Sequence, residues 1–190
     1  MPIQTREDLK EYINADLSVQ PRKKGILKLF SNENRIINLK LHLRKCEYYY
    51  NSSHSFIKRI LYFYHKFFLY RISSSFCSEI PINVFGKGLI IWHAERIIIN
   101  GNSKVGNYCS ISSGVVIAQA HNECPIIDNN VELMIDSKVL GGIHVSENVR
   151  IGAGALVIKD IDTPNTTWAG VPAYQISNKG TIETPIPIAR

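Results

Sequence analysis

Residues 127–162, written in sixes, read IDNNVE LMIDSK VLGGIH VSENVR IGAGAL VIKDID. The first position of each six is aliphatic: Ile127, Leu133, Val139, Val145, Ile151 and Val157. The fifth is small or branched: Val131, Ser137, Ile143, Val149, Ala155 and Ile161. The same period runs upstream through 99–122 as INGNSK VGNYCS ISSGVV IAQAHN, with Ser103, Cys109 and Val115 among the fifth positions. Neither a helix nor an alternating strand repeats every six residues. A short flat strand followed by a corner does, and three such units close a triangular coil of about eighteen residues. The first position then fills the prism, the fifth completes each layer, and stacked coils satisfy one another's backbone groups.

The frame breaks twice. Ile97 and Ile98 are two extra residues before the six that begins at Ile99, and four more separate Ile117 from Ile127. Extra residues in a solenoid are expected to bulge out as loops. A histidine lies near each break, His93 at the first and His121 at the second.

Before residue 76 the period is helical. Thr5 and Asp8 have the spacing of a capping box, and Leu9, Tyr12, Ile13 and Leu17 follow at helical intervals. Further helices are expected over about 33–50 and 54–73. The last mixes aromatic residues with Lys58, Arg59, Lys66 and Arg71. Packing in a core or a subunit contact is its expected role, and peripheral contact with a membrane surface is the other reading. Residues 1–75 carry a net charge of +8 and residues 76–190 one of −2. A basic front half attracts polyanions, yet no nucleic-acid-binding signature accompanies it. MPIQTREDLKEY has no basic-then-apolar signal pattern. The four cysteines show no CxxC spacing. A cytoplasmic protein with reduced thiols is expected.

Three stretches carry a resemblance: EIPINVFGKGLIIWH at 79–93, IGAGALVIKDI at 151–161 and AGVPA at 169–173. Together with the repeat they resemble the hexapeptide-repeat acyltransferases, and within them the serine acetyltransferase branch. The resemblance covers about 79–176, and the helices in outline. It implies a mainly β chain: a helical N-terminal domain (1–75), a left-handed parallel β-helix (76–176) and a short tail (177–190). It also implies acetyl-CoA as donor, no metal, and a homotrimer or a dimer of trimers with sites between subunits.

His93 falls where that family keeps its catalytic histidine. Imidazole titrates near neutrality and suits removal of a hydroxyl proton. A catalytic imidazole needs its second nitrogen held by an acceptor, usually a carboxylate. The family's aspartate lies fifteen residues earlier; strict counting gives Ser78, and one deletion gives Glu79, the preferred partner. In the branch's acceptor loop an Arg-His pair precedes a proline. Aligning on Pro125 puts Glu123 and Cys124 there, with His121 close by. Trp92 stands where the serine enzymes have aspartate. These departures point to a neutral acceptor, so the expected function is acetyl transfer to a sugar or glycan precursor of the capsule or O-antigen type. Serine O-acetylation in cysteine biosynthesis is the alternative. On the donor side, Gly152, Ala153 and Gly154 would admit the pantetheine arm. Lys159 could meet a phosphate and Tyr174 could stack on adenine. Some β-helices are metal-dependent carbonic anhydrases, which keeps His93, His121 and His144 in view as ligands, and a non-catalytic scaffold is a further option.

Overall fold

The computed structural model describes residues 2–23, 25, 31–52 and 55–181. Three helices lead: α1 (Arg6–Val19), α2 (Asn32–Asn51) and α3 (Phe56–Ser75). The Thr5 hydroxyl accepts from Asp8 N–H and the Asp8 carboxylate accepts from Thr5 N–H, completing the capping box that starts α1. Ser31 and Ser55 cap α2 and α3 in the same way, each accepting from the third helical N–H.

Thirteen short strands follow, named in chain order: β1 (Ile90–Ile91), β2 (Ile98–Ile99), β3 (Lys104–Val105), β4 (Ser110–Ile111), β5 (Val116–Ala118), β6 (Ile126–Ile127), β7 (Glu132–Leu133), β8 (Lys138–Leu140), β9 (His144–Val145), β10 (Arg150–Ile151), β11 (Leu156–Val157), β12 (Thr167–Ala169) and β13 (Tyr174–Ser177). They form three parallel faces of a prism: β1-β4-β7-β10-β12, β2-β5-β8-β11 and β3-β6-β9. β13 turns back antiparallel on β12 and closes the C-terminal end.

The register follows the six-residue frame. Ile99 pairs with Ile117, Ile117 with Val139, and Val139 with Val157. Ile111 pairs with Leu133 and Leu133 with Ile151. First positions therefore stack on first positions inside the prism, all nearly inaccessible to water. Burial of each such side chain is worth about 1.5–3 kcal/mol. Fifth positions fill the remaining space; Ser137 is among them, fully buried, with no hydrogen-bond partner for its hydroxyl among the described residues.

The helical domain is fastened to the first coil by buried charges. Arg44 is 0% exposed; it pairs with Asp16 at 2.9 Å and Glu47 at 3.0 Å and donates to the carbonyls of Phe85 and Gly86. Lys40 donates to the carbonyls of Asp16 and Leu89, and Asp16 accepts from Leu89 N–H. Burial pulls the Lys40 ammonium down to about 8. The Gln20 amide exchanges two hydrogen bonds with the backbone of Ile91. The helices thus hold the segment 85–91 that delivers the chain to His93.

Within this chain α3 packs along one side only. His65, Leu69 and Ser73 face inward, while Phe56, Ile60, Phe63 and Phe67 point to solvent. Among the described residues, no helix is long and apolar enough to cross a membrane.

Candidate active site

One edge of the prism is formed where the chain passes from the first face to the second. Successive coils place Cys77, Arg96, Gly114, Asp136 and Gly154 there, all with φ between 53° and 71°. This left-handed residue turns the corner, which glycine tolerates freely and aspartate better than most. Backbone bonds tie the corners into a ladder: Gly114 N–H to Glu95 O, Asp136 N–H to Ser113 O, and Gly154 N–H to Ile135 O.

The later corners have four residues between strands and the first has six, Trp92 to Ile97. The two extra residues are therefore in this corner, not at Ile97 and Ile98 as the frame count placed them. Ile97 is buried at a fifth position and Ile98 belongs to β2. Counting cannot say which of three consecutive isoleucines is in frame; the strand pairing of Ile99 with Ile117 does.

The enlarged corner lifts His93 and Trp92 into solvent while Ala94 and Ile97 pack inward at 0% exposure. Ser78 braces it from below. Its hydroxyl donates to Ala94 O at 2.5 Å and accepts from Ile97 N–H at 2.9 Å. Neither partner is the imidazole, so Ser78 shapes the corner that carries His93. The family count alone offers Ser78 only as a slot for a carboxylate. Glu79 lies one coil before β2, its backbone paired beside Ile98 and its side chain exposed. No hydrogen bond joins its carboxylate to His93 among the described residues.

The second break sits on the next edge, between β5 and β6. Ala120 and Glu123 exchange both backbone hydrogen bonds, and His121 and Asn122 between them have φ of 52° and 65°. Two left-handed residues in a two-residue loop make a tight hairpin turn. The four extra residues thus form a compact projection carrying His121 and Glu123, both exposed. The Glu123 carboxylate lies against Gly142, where a Cβ would strike its Oε2. Within one chain, His93 and His121 stand on different edges.

Gly152, Ala153 and Gly154 lie on the edge of His93, three coils further along. At about 4.8 Å per coil this is roughly 14 Å. Beyond Gly154 an added Cβ would meet open space, whereas at Gly152 it would come within 3.1 Å of Ala169 Cβ. The AGVPA turn closes over this end, with Ala173 N–H bonded to Leu156 O and the Tyr174 ring lying against Gly170. The structure brings together four of the five residues expected on the donor side. Lys159 stands apart, on the edge of His121. Among the other reactive groups, Cys109 is buried in the core and its thiol is pushed up to about 12 by desolvation. His144 belongs to the third face, where its Nε2 lies 3.1 Å from Asp128.

No protein-family model matches the chain. Curated relatives do. A protein of Synechococcus elongatus is 36% identical over 105 residues, 53% of this chain and 43% of that protein. One of Buchnera aphidicola is 37% identical over 109 residues, 54% of this chain and 41% of the relative. Both are serine acetyltransferases. The chain thus spans less than half the length of these relatives. The fold matches a solved serine acetyltransferase of Neisseria gonorrhoeae with a TM-score of 0.67, at 23% identity, over 95% of this chain and 70% of that one. A serine acetyltransferase solved in complex with CoA superposes with a TM-score of 0.64, at 22% identity, over 90% of this chain and 70% of that one.

These findings overturn the sugar or glycan acceptor. That expectation rested on Trp92, Glu123 and Cys124, three residues in one corner and one turn. The similarity to serine enzymes runs through more than a hundred residues. A polysaccharide pathway has no support from it.

Proposed function

We propose that the chain is an acetyl-CoA-dependent O-acetyltransferase whose acceptor is the hydroxyl of serine. The observation that carries this reading is the edge itself. It presents an exposed histidine at one end and, at the other, a glycine corner open at Gly154 and capped by the AGVPA turn, on a frame whose curated relatives are serine acetyltransferases.

In this mechanism the acetyl-CoA arm runs along the edge past Gly154, Ala153 and Gly152, with Tyr174 and the AGVPA turn at the nucleotide end. The serine hydroxyl donates to the His93 imidazole and its oxygen attacks the thioester carbonyl. Backbone N–H groups of the corner hold the oxyanion. The tetrahedral intermediate collapses to O-acetylserine, and His93 returns the proton to the departing CoA sulfur. Glu79 serves as the positioning carboxylate for the imidazole. The family count with one deletion, and the lack of another hydrogen-bond partner for either side chain among the described residues, support that role.

A homotrimer completes the site. Ile98, Ile126, Ile135 and Ile158, on the faces and edges of the prism, are each between 44% and 48% exposed. A neighbouring prism would cover them. It would also bring the His121–Glu123 hairpin and Lys159 of one copy towards the His93 edge of another.

The test is serine-dependent thiol release from acetyl-CoA by the full chain. His93→Ala is expected to lower turnover by about 10²–10⁴-fold with acetyl-CoA binding retained. Absence of serine-dependent release by the wild-type chain overturns the reading.

A further inference from the structure

Helix α3 turns its most apolar surface away from the protein. Phe56 is 78% exposed, Ile57 68%, Ile60 53%, Phe63 54%, Tyr64 54%, Phe67 58% and Tyr70 69%. At 100° per residue, Phe56, Ile60, Phe63 and Phe67 lie along the centre of the outward face, opposite His65 and Leu69, which pack on α2. Ile57, Tyr64, Phe68 and Tyr70 widen the stripe to nearly half the circumference. Arg59 and Lys66 border it on one side, and Arg71 lies within it near the C-terminal end of the helix.

The charge on this surface indicates what covers it. Residues 56–75 contain four Lys or Arg and no Asp or Glu. Among the described residues, no acid pairs with Arg59, Lys66 or Arg71, although Lys66 lies over the Tyr62 ring. A second copy docked on α3 would set these cations against the same cations. Helix pairs usually answer a flanking cation with a glutamate, and α3 has none. The stripe is also wider than the narrow seam two helices share. A twenty-residue helix, about 30 Å long, with a broad aromatic face, cations along one flank and another near its end has the makeup of a helix lying in a membrane interface.

We propose that α3 docks this protein on an anionic lipid surface, with Phe56, Ile60, Phe63 and Phe67 entering the acyl boundary and Arg59, Lys66 and Arg71 meeting phosphate head groups. The proposal does not depend on the acceptor.

The test is co-sedimentation of the full chain with vesicles of phosphatidylcholine alone and of phosphatidylcholine mixed with phosphatidylserine. The mixed vesicles are expected to bind at least about tenfold more tightly, with the preference lost in high salt. Phe63→Ser with Phe67→Ser is expected to abolish binding. Neutralising Arg59, Lys66 and Arg71 to Gln is expected to weaken it by roughly fivefold per cation. The Gln variant keeps good helix formers, so it carries the test even if the Ser variant unfolds. Three results overturn the proposal: no preference for the anionic vesicles, equal binding by wild type and Gln variant, or an assembly in light scattering that the Phe changes dissociate. The last would assign the face to a second copy.

Discussion

At the joint between helices and prism, the buried groups are Lys40, Arg44, Asp16 and Glu47, each no more than 2% exposed. Inside the prism they are Ile99, Ile111, Ile117, Leu133, Val139 and Ile151, stacked coil upon coil. The two regions solve different problems. A column of identical layers gains stability from every added coil, but a slip by one layer costs it little specificity. The joint must choose one coil and one orientation. Arg44 pairs with both carboxylates and with the carbonyls of Phe85 and Gly86, while Lys40 takes the carbonyls of Asp16 and Leu89, and directional bonds of this kind fix one arrangement. Directional bonds therefore appear where the register must be unique, and aliphatic packing where repetition already supplies it.

The largest expected effect breaks the joint. Arg44→Met would leave Asp16 and Glu47 buried without their cation. A cost of about 3–5 kcal/mol is expected, read as a lowered midpoint in urea unfolding. Adding Asp16→Asn and Glu47→Gln should restore part of that loss, since the uncompensated charge is then removed. A loss below about 1 kcal/mol for Arg44→Met would show that packing, not charge, holds the two regions together.

An intermediate effect is expected where the regions meet the site. Ser78→Ala removes the brace under His93's corner and leaves the Ile97 N–H buried without an acceptor. This should cost about 1–3 kcal/mol of stability. It should also lower kcat with little change in KM for acetyl-CoA, because Gly152–Gly154 lie three coils away. Ser78→Thr, which keeps the hydroxyl, should recover much of the turnover. A variant that loses stability but keeps kcat would reduce Ser78 to a structural role.

The same contrast explains what could be read without coordinates. First positions such as Ile117, Val139 and Val157 announce themselves every six residues, and strand pairing follows them residue for residue. Frame counting is also enough to put His93 and Gly152–Gly154 on one edge and His121 on the next. The left-handed corner residues were a second readable signal, since Gly114, Asp136 and Gly154 recur in the fourth place of the six. Arg96, in the enlarged corner, hides the pattern just where the histidine sits. The joint was not legible. Asp16, Lys40, Arg44 and Glu47 look like ordinary surface charges of two helices, and only the fold shows that they face each other. For α3 the sequence leaves core, subunit contact and membrane surface open, because an aromatic face does not say what covers it until its neighbours are known.

The smallest expected effect sharpens the comparison from inside the prism. Ser137 occupies a fifth position where Val115 and Ala155 stand in the adjacent coils, and its hydroxyl has no hydrogen-bond partner among the described residues. A buried hydroxyl gives up its water on folding and needs a bond in return. Ser137→Ala removes that demand and leaves a void of about one oxygen atom. The gain from the first outweighs the lost contacts of the second, and a stabilisation of about 1 kcal/mol is expected. For a chain of this size that raises Tm by about 2–4 °C, measurable by calorimetry. At the joint, by contrast, every buried polar change should destabilise, because there the polar groups are paired. If Ser137→Ala instead lowers Tm, the prism too relies on directional bonds, and the division of labour between the two regions fails.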